Sequence, residues 1–348
     1  MRRKRVPLLF FLILWWLSAC NLPQRAHVQP SASEMPEGSE PEPTEVPTET
    51  PTPLPELEKV AFVTSADVPG ITESLNKAME TLCSADYECQ ALSSPDDISP
   101  ETDFIVFAQE PTDLSGLQGK FPEAGFIIVS APRTNHENAW TIQYDDAFLP
   151  FLAGYALESN SSDWRGVGLF PNDSPVWGTH TEEAFLNGGH YMCGNCMPAL
   201  APYVSFPLAV LEPGSSAPET WGARFDEAQR SVIRTAFIAE EAMSEALLQK
   251  LASQNVMMMG TAQLPAGYES NWLATITLDW AETLRQIMGQ IDAGTKAGTA
   301  GVFLSITPGF LTETFSEGKA NTLRKAYEYL LTGNLSPYPP VNEYAAQQ

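Results

Sequence analysis

Cys193-Gly194-Asn195-Cys196 is the stretch of this 348-residue chain whose residue types and spacing could by themselves do covalent chemistry. At the start of a helix such a pair has a lowered thiol pKa and exchanges disulfides readily. Here it follows Gly188-Gly189-His190, at the expected end of a helix, and precedes Pro198, a position that suits a loop staple. A thiol oxidoreductase using Cys193 and Cys196 is the alternative. With Cys83 and Cys89 the cysteines allow three pairings, and proximity favours Cys83 with Cys89 and Cys193 with Cys196. His180 and His190 could turn the second pair into a zinc site, but an oxidising compartment argues against it, and no metal is expected. Further catalytic signals are missing. The chain has four histidines and no GxSxG, HExxH, GxxxxGK or post-strand GxGxxG pattern. Gly294, Gly298 and Gly301 read as a loop entering a strand near Val302. With 43 acidic residues against 19 basic ones, no particular carboxylate pair stands out, and a surface of this sign does not suit phosphate backbones. The expectation is therefore a protein that is not an enzyme, takes no cofactor and binds no nucleic acid.

A fifth cysteine has a different setting. Leu17-Ser18-Ala19-Cys20 closes an apolar run that begins after Met1-Arg2-Arg3-Lys4-Arg5. The run from Pro7 to Ala19 is short for ~30 Å of hydrocarbon, which takes ~20 residues. The pattern resembles a bacterial lipoprotein signal peptide, which implies cleavage before Cys20, lipidation there, and anchoring on the extracytoplasmic face of a cell membrane. Residues 21–58 hold no aromatic residue and no lysine and are rich in proline, glutamate and threonine, which predicts an extended, solvated stalk.

About 290 residues remain, enough for two lobes with separate cores. Short apolar runs predict strands at 59–64, 103–108, 125–130, 139–144, 166–170, 203–211, 231–239, 255–260 and 273–277. Helical spacing predicts helices at 71–82, from Asp145 or Asp146 through Tyr155, and at 240–253, 279–291 and 316–331. Strands separated by helices imply an α/β fold with parallel sheets covered on both faces, whose ligands sit beyond the carboxyl ends of the strands.

Lys59-Val60-Ala61-Phe62-Val63-Thr64, then Gly70-Ile71 and Ser74-Leu75-Asn76, resemble the opening of the basic membrane lipoprotein (BMP) family of ABC-transporter substrate-binding proteins. Tyr144-Asp145-Asp146-Ala147-Phe148-Leu149, continuing to Leu152-Ala153-Gly154-Tyr155, is similar to that family's acidic-Phe-Leu-Ala-Gly-Tyr signature, and Thr275 to Trp280 with Gly294 to Leu304 fits its closing segment. The resemblance implies a type I periplasmic-binding fold, with two Rossmann-like lobes, three hinge crossings and an enclosed ligand, often a purine nucleoside. It implies a permease partner as well. The lobes are expected at 59–163, with a returning segment near 278–296, and at 164–277, with a returning segment near 297–333. A tail is expected at 334–348.

The chain also departs from the family. Thr64-Ser65 stands for the usual Thr-Asp, Leu75 for an aromatic, and Gly260-Thr261-Ala262-Gln263 for an acidic segment. Asp67 could replace a carboxylate, and Trp177 or Tyr144 a stacking face. The expected cleft residues are Ser65, Asp67, Asn76, Tyr144, Asp145, Asp146, Asp173, Trp177, Thr261 and Gln263. Several have plainer readings: Asp145 and Asp146 as helix caps, Asp173 as a turn with Asn172 and Ser174, Trp177 and Trp280 as core. The function this implies is capture of a small molecule by lobe closure for an ABC transporter; a ligand-sensing module for a receptor is the alternative on the same scaffold.

Overall fold

The computed structural model describes residues 57–83, 87–311 and 313–340. The expected signal segment, Cys20 and the stalk up to residue 56 lie outside them, as do residues 341–348. The first lobe is built from β1 (Glu58–Val63), α1 (Pro69–Leu82), β2 (Tyr87–Leu92), β3 (Phe104–Phe107), α2 (Leu114–Lys120), β4 (Gly125–Ser130) and β5 (Trp140–Gln143). The second follows with α3 (Phe148–Asn160), β6 (Gly166–Pro171), α4 (Thr181–Cys193), β7 (Leu208–Glu212) and α5 (Pro218–Gln229). It continues through β8 (Thr235–Ile238), α6 (Glu245–Ser253), β9 (Met257–Gly260) and β10 (Trp272–Asp279). The chain returns to the first lobe for α7 (Trp280–Asp292) and β11 (Gly298–Gly301), and ends in the second with β12 (Phe303–Pro308) and α8 (Glu317–Leu331).

Each lobe has a six-stranded sheet, ordered β2-β1-β3-β4-β5-β11 in the first and β7-β6-β8-β9-β10-β12 in the second. The first is parallel throughout. The continuous apolar runs of β1, β3 and β4 make sense there, because both faces of such a sheet are covered. Val60 and Phe62 point toward α1 and α7, joining Leu75, Leu82, Leu284 and Met288. Ala61 and Val63 point the other way, toward Phe107, Phe126 and Phe121. The second lobe repeats the sandwich: Phe170, Phe237 and Met259 pack with α3, α4 and α8 on one face, while Val167, Ala236 and Met258 pack with α5 and α6 on the other.

Capping follows the sequence in the later helices. The side chains of Asp279 and Ser316 accept backbone N–H groups at the starts of α7 and α8, removing orphan donors. Asp145 instead stabilises the turn before α3, accepting from Ala147 N at 2.9 Å, and Ala147 is the N-terminal flanking residue of that helix.

The expected boundaries change in four places. Helix α3 belongs to the second lobe, since Phe148, Phe151 and Leu152 pack in its core; the first crossing is therefore at 144–147 and not near 163. The segment near Val302 is two strands, not one: β11 pairs in parallel with β5 in the first lobe, and β12 pairs with β10 in the second. The β12–β10 pairing is antiparallel, so the second sheet is mixed. Crossings thus occur at 144–147, at 279–280 and at Val302. Residues 203–207, expected as strand, are irregular, and Pro202 and Pro207 there cannot donate to a ladder. The expected tail at 334–348 is packed as far as Tyr338: Asn187 donates to Ser336 O and Pro337 O, and the Tyr338 hydroxyl donates to Asp145 Oδ1 at 2.9 Å.

Candidate functional site

Between the lobes lies a cavity of about 570 Å³. From the first lobe α1 contributes Glu73, Ser74, Lys77 and Thr81, a polar stripe at helical spacing on the side opposite Leu75 and Leu82. From the second come Val176 and Trp177 after β6, Glu240 and Glu241 after β8, and Thr261 after β9. The crossings supply the floor, with Tyr144 from the first and Thr277 to Ala281 from the second. Both sheets place these segments at carboxyl ends of strands, where backbone groups leave the ladder and become available.

Several lining groups are held rigidly. Trp177 is 2% exposed and packs on Phe170 and Phe237, while its indole N–H donates to Glu241 Oε2 at 3.2 Å. Ser174 Oγ donates to the other Glu241 oxygen at 2.9 Å. Thr261 Oγ1 accepts from Glu240 N at 2.9 Å. Tyr144 meets Trp280 edge-on, with ring centroids 5.0 Å apart, and burial holds the Tyr144 hydroxyl far above the usual phenol range. The lining presents four carboxylates, Glu73, Glu240, Glu241 and Asp279, against the single ammonium of Lys77. A site of this sign favours neutral or cationic solutes over anions.

The lobes meet beside the cavity. Lys77 Nζ lies 3.1 Å from Glu240 Oε2. At the start of α1, Gly70 lies so close to the Pro175 carbonyl that a Cβ would collide with that oxygen. On the crossing side, Asp146 lies against Gly178; burial and the neighbouring Asp145 raise its carboxyl pKa, and His180 opposes them. Arg133, from the loop after β4, donates to the Thr332 and Gly333 carbonyls beyond α8.

The residues expected from sequence separate into groups. Tyr144, Trp177 and Thr261 line the interlobe cavity. Ser65 and Asp67 line a different hollow of about 880 Å³, formed by first-lobe residues between Val63 and Lys120. Ser65 also closes the turn into α1, its carbonyl accepting from Thr72 Oγ1 at 2.7 Å. Asn76, Asp145, Asp146, Asp173 and Gln263 line neither. Asn76 is half-buried on α1, Gln263 is exposed, and Asp173 serves a turn by accepting from Gly214 N at 2.6 Å. The residues missed are Glu73, Ser74, Lys77 and Thr81, whose common face on an amphipathic helix was the available signal, and Glu240-Glu241, which directly follow a strand.

Both favoured disulfides are formed, Cys83–Cys89 and Cys193–Cys196. The second sits at the end of α4, as its sequence context indicated. His180 pairs with Glu183 and His190 faces Ser205, so neither completes a site with the sulfurs.

No protein-family model and no curated protein matches the chain. Solved structures do. An ABC transporter solute-binding protein from Conexibacter woesei is 17% identical, with 81% of this chain and 100% of that chain covered and a TM-score of 0.49. One from Aeropyrum pernix is 11% identical, with 84% and 96% covered and a TM-score of 0.48. The Escherichia coli transcriptional repressor ascG is 12% identical, with 72% and 98% covered and a TM-score of 0.47. At these identities and scores the likenesses say nothing of what this chain binds.

Proposed function

We propose that the chain is a solute-binding lipoprotein that holds a small molecule between its lobes and presents the closed form to a membrane permease. The observation that carries this reading is the cavity itself, lined jointly by α1, the loops after β6, β8 and β9, and two of the crossings. A ligand touching both lobes is bound more tightly when they are together, so its binding energy shifts the population toward closure. Aromatic faces from Tyr144 and Trp280 beside carboxylates suit an uncharged or cationic ring compound bearing hydroxyl or amino groups. A nucleoside-like solute, the ligand implied by the family resemblance, falls in that class. Lipidation at Cys20 would anchor the protein on the extracytoplasmic face.

Small molecules released from the gently purified protein, identified by mass spectrometry, should include such a compound, and its readdition should raise the thermal midpoint. An anion as the bound species, or no stabilisation by nucleosides, amines or polyols, removes the ligand class. Loss of labelled-lipid incorporation in Cys20→Ser supports the anchor; unchanged labelling refutes it.

A further inference from the structure

Beside one disulfide of the second lobe lies a carboxyl that solute binding does not use. Glu158, in the last turn of α3, is 1% exposed; the Gly166 N–H lies near its carboxyl, but neither oxygen has a partner of full hydrogen-bond geometry among the described residues. Its head fills space left by two glycines: a Cβ on Gly166 would lie 2.5 Å from Glu158 Oε1, and one on Gly189 would lie 3.3 Å from its Cγ. A carboxyl oxygen of Glu158 and the sulfurs of Cys193 and Cys196 all lie within 4.8 Å of one another. Packing alone does not account for a carboxyl here, since an apolar side chain of similar volume would fill the space without the desolvation cost.

The two sulfurs differ in access. Cys196 is 1% exposed, whereas Cys193 is partly exposed at the end of α4 and is followed by exposed Gly194 and Asn195. An incoming thiolate can therefore reach Cys193, which makes Cys196 the leaving sulfur. The loop that follows is held in place: Arg165 donates to Leu200 O at 2.6 Å and Ser231 O at 2.7 Å, and Asp163 Oδ1 accepts from Ala199 N at 2.8 Å.

We propose that Cys193–Cys196 is a redox-active disulfide and that Glu158 delivers the proton to the leaving Cys196 sulfur. A thiolate of a dithiol reductant attacks Cys193 Sγ. The Cys193–Cys196 bond breaks, its electron pair stays on Cys196 Sγ, and the proton of Glu158 passes there, leaving a thiol and a carboxylate. The second thiol of the reductant loses its proton, which restores the Glu158 acid, and attacks the mixed disulfide at the reductant's own sulfur. Cys193 departs with the electron pair and takes a proton from solvent. The dithiol loses two electrons and becomes a disulfide; the protein pair gains them and becomes two thiols. Burial pushes the Glu158 carboxyl up to about 9, opposed in part by the Gly166 N–H, so the acid is protonated at neutral pH and close to a thiol in strength. That N–H from β6, Gly189 from α4 and the two sulfurs are among the groups around it, and no charged side chain contributes to its shift. This inference does not depend on the solute-binding reading.

The test is native-state reduction of the full chain by dithiothreitol, with acid quench, alkylation and peptide-level mass spectrometry that reads the two cystines separately. Cys193–Cys196 should open in the folded protein. Glu158→Gln, which keeps shape but supplies no carboxyl proton, should slow that opening by about tenfold or more while leaving Cys83–Cys89 unaffected. The wild-type rate should also pass through a maximum near pH 9 and fall as Glu158 ionises. That profile needs no variant and would not follow from a structural role. A rate in Glu158→Gln within about twofold of wild type, a wild-type rate that rises to a plateau with reagent thiolate, or a Cys193–Cys196 bond that opens only on unfolding would each overturn the proposal.

Discussion

Lys77 on α1 and Glu240 after β8 form an ion pair of 3.1 Å that joins the two lobes at the edge of the cavity. Their side chains are 75% and 58% exposed, so the pair contributes at most about 1 kcal/mol and weakens in salt. Its value is directional, because it exists only when the lobes are together. Reversing one charge in Glu240→Lys should raise the radius of gyration by small-angle scattering and weaken solute affinity up to about fivefold. Lys77→Glu combined with Glu240→Lys should restore both. A double variant as impaired as the single one would show that the pair does not act through closure.

Gly70 sets how near the lobes can come. A side chain there would meet the Pro175 carbonyl, which is backbone and cannot swing away. Gly70→Val should therefore cost about 1–3 kcal/mol of closure free energy, read as weaker solute binding by calorimetry. The thermal midpoint of the ligand-free protein should change little, since the open form relieves the clash. Equal affinities for wild type and variant would mean that this contact is not part of the bound state.

How much of this was legible in the sequence follows from local and non-local forces. The cores of β1, β3, β4 and β6 are continuous apolar runs, and a buried parallel strand has few other ways to read. Strand β2 escaped because it sits at a sheet edge, with Glu88 and Gln90 breaking the run. Helix α5 escaped because Glu219, Arg224, Asp226 and Glu227 dilute its apolar face to Trp221 and Phe225. The split at Val302 could not be read locally, since whether Gly298–Gly301 pairs with β5 or continues into β12 is decided by tertiary pairing. Of the site, Trp177 and Thr261 were named from their positions after expected strands and Tyr144 from the segment that resembles the family signature, whereas Trp280 was read as core. Lys77 was not named, because a charged residue on an exposed helix face looks the same whether it faces solvent or another lobe, and Glu240, though it follows β8, does not stand out in a chain with 43 acidic residues.

Tyr338 ties the segment after α8 to the first crossing. Its hydroxyl donates to Asp145 Oδ1 at 2.9 Å, and its ring meets His180 edge-on at 5.2 Å. Tyr338→Phe keeps the ring and removes the donor, so it should cost about 1 kcal/mol of stability. Amide exchange should rise at residues 334–338 and at the 144–147 crossing and stay unchanged in β1 and β3. Faster exchange spread evenly over the protein would point to general destabilisation and not to this link.

Glu158 predicts a pH dependence of stability. Its carboxyl is raised by burial from an ordinary 4.5 to about 9 in the folded protein. The folded state therefore keeps its proton over a range where the unfolded state has released it. The stability it contributes is fully present below about pH 4.5, declines as pH rises, and levels off above about pH 9. Other groups titrate over the same range, so the useful quantity is the difference in thermal midpoint between Glu158→Gln and wild type. That difference should grow in favour of the variant from pH 5 toward pH 9, with both proteins kept oxidised. A constant difference across the range would mean that Glu158 ionises in the folded protein at its ordinary pKa, and that water reaches a carboxyl the structure shows to be enclosed.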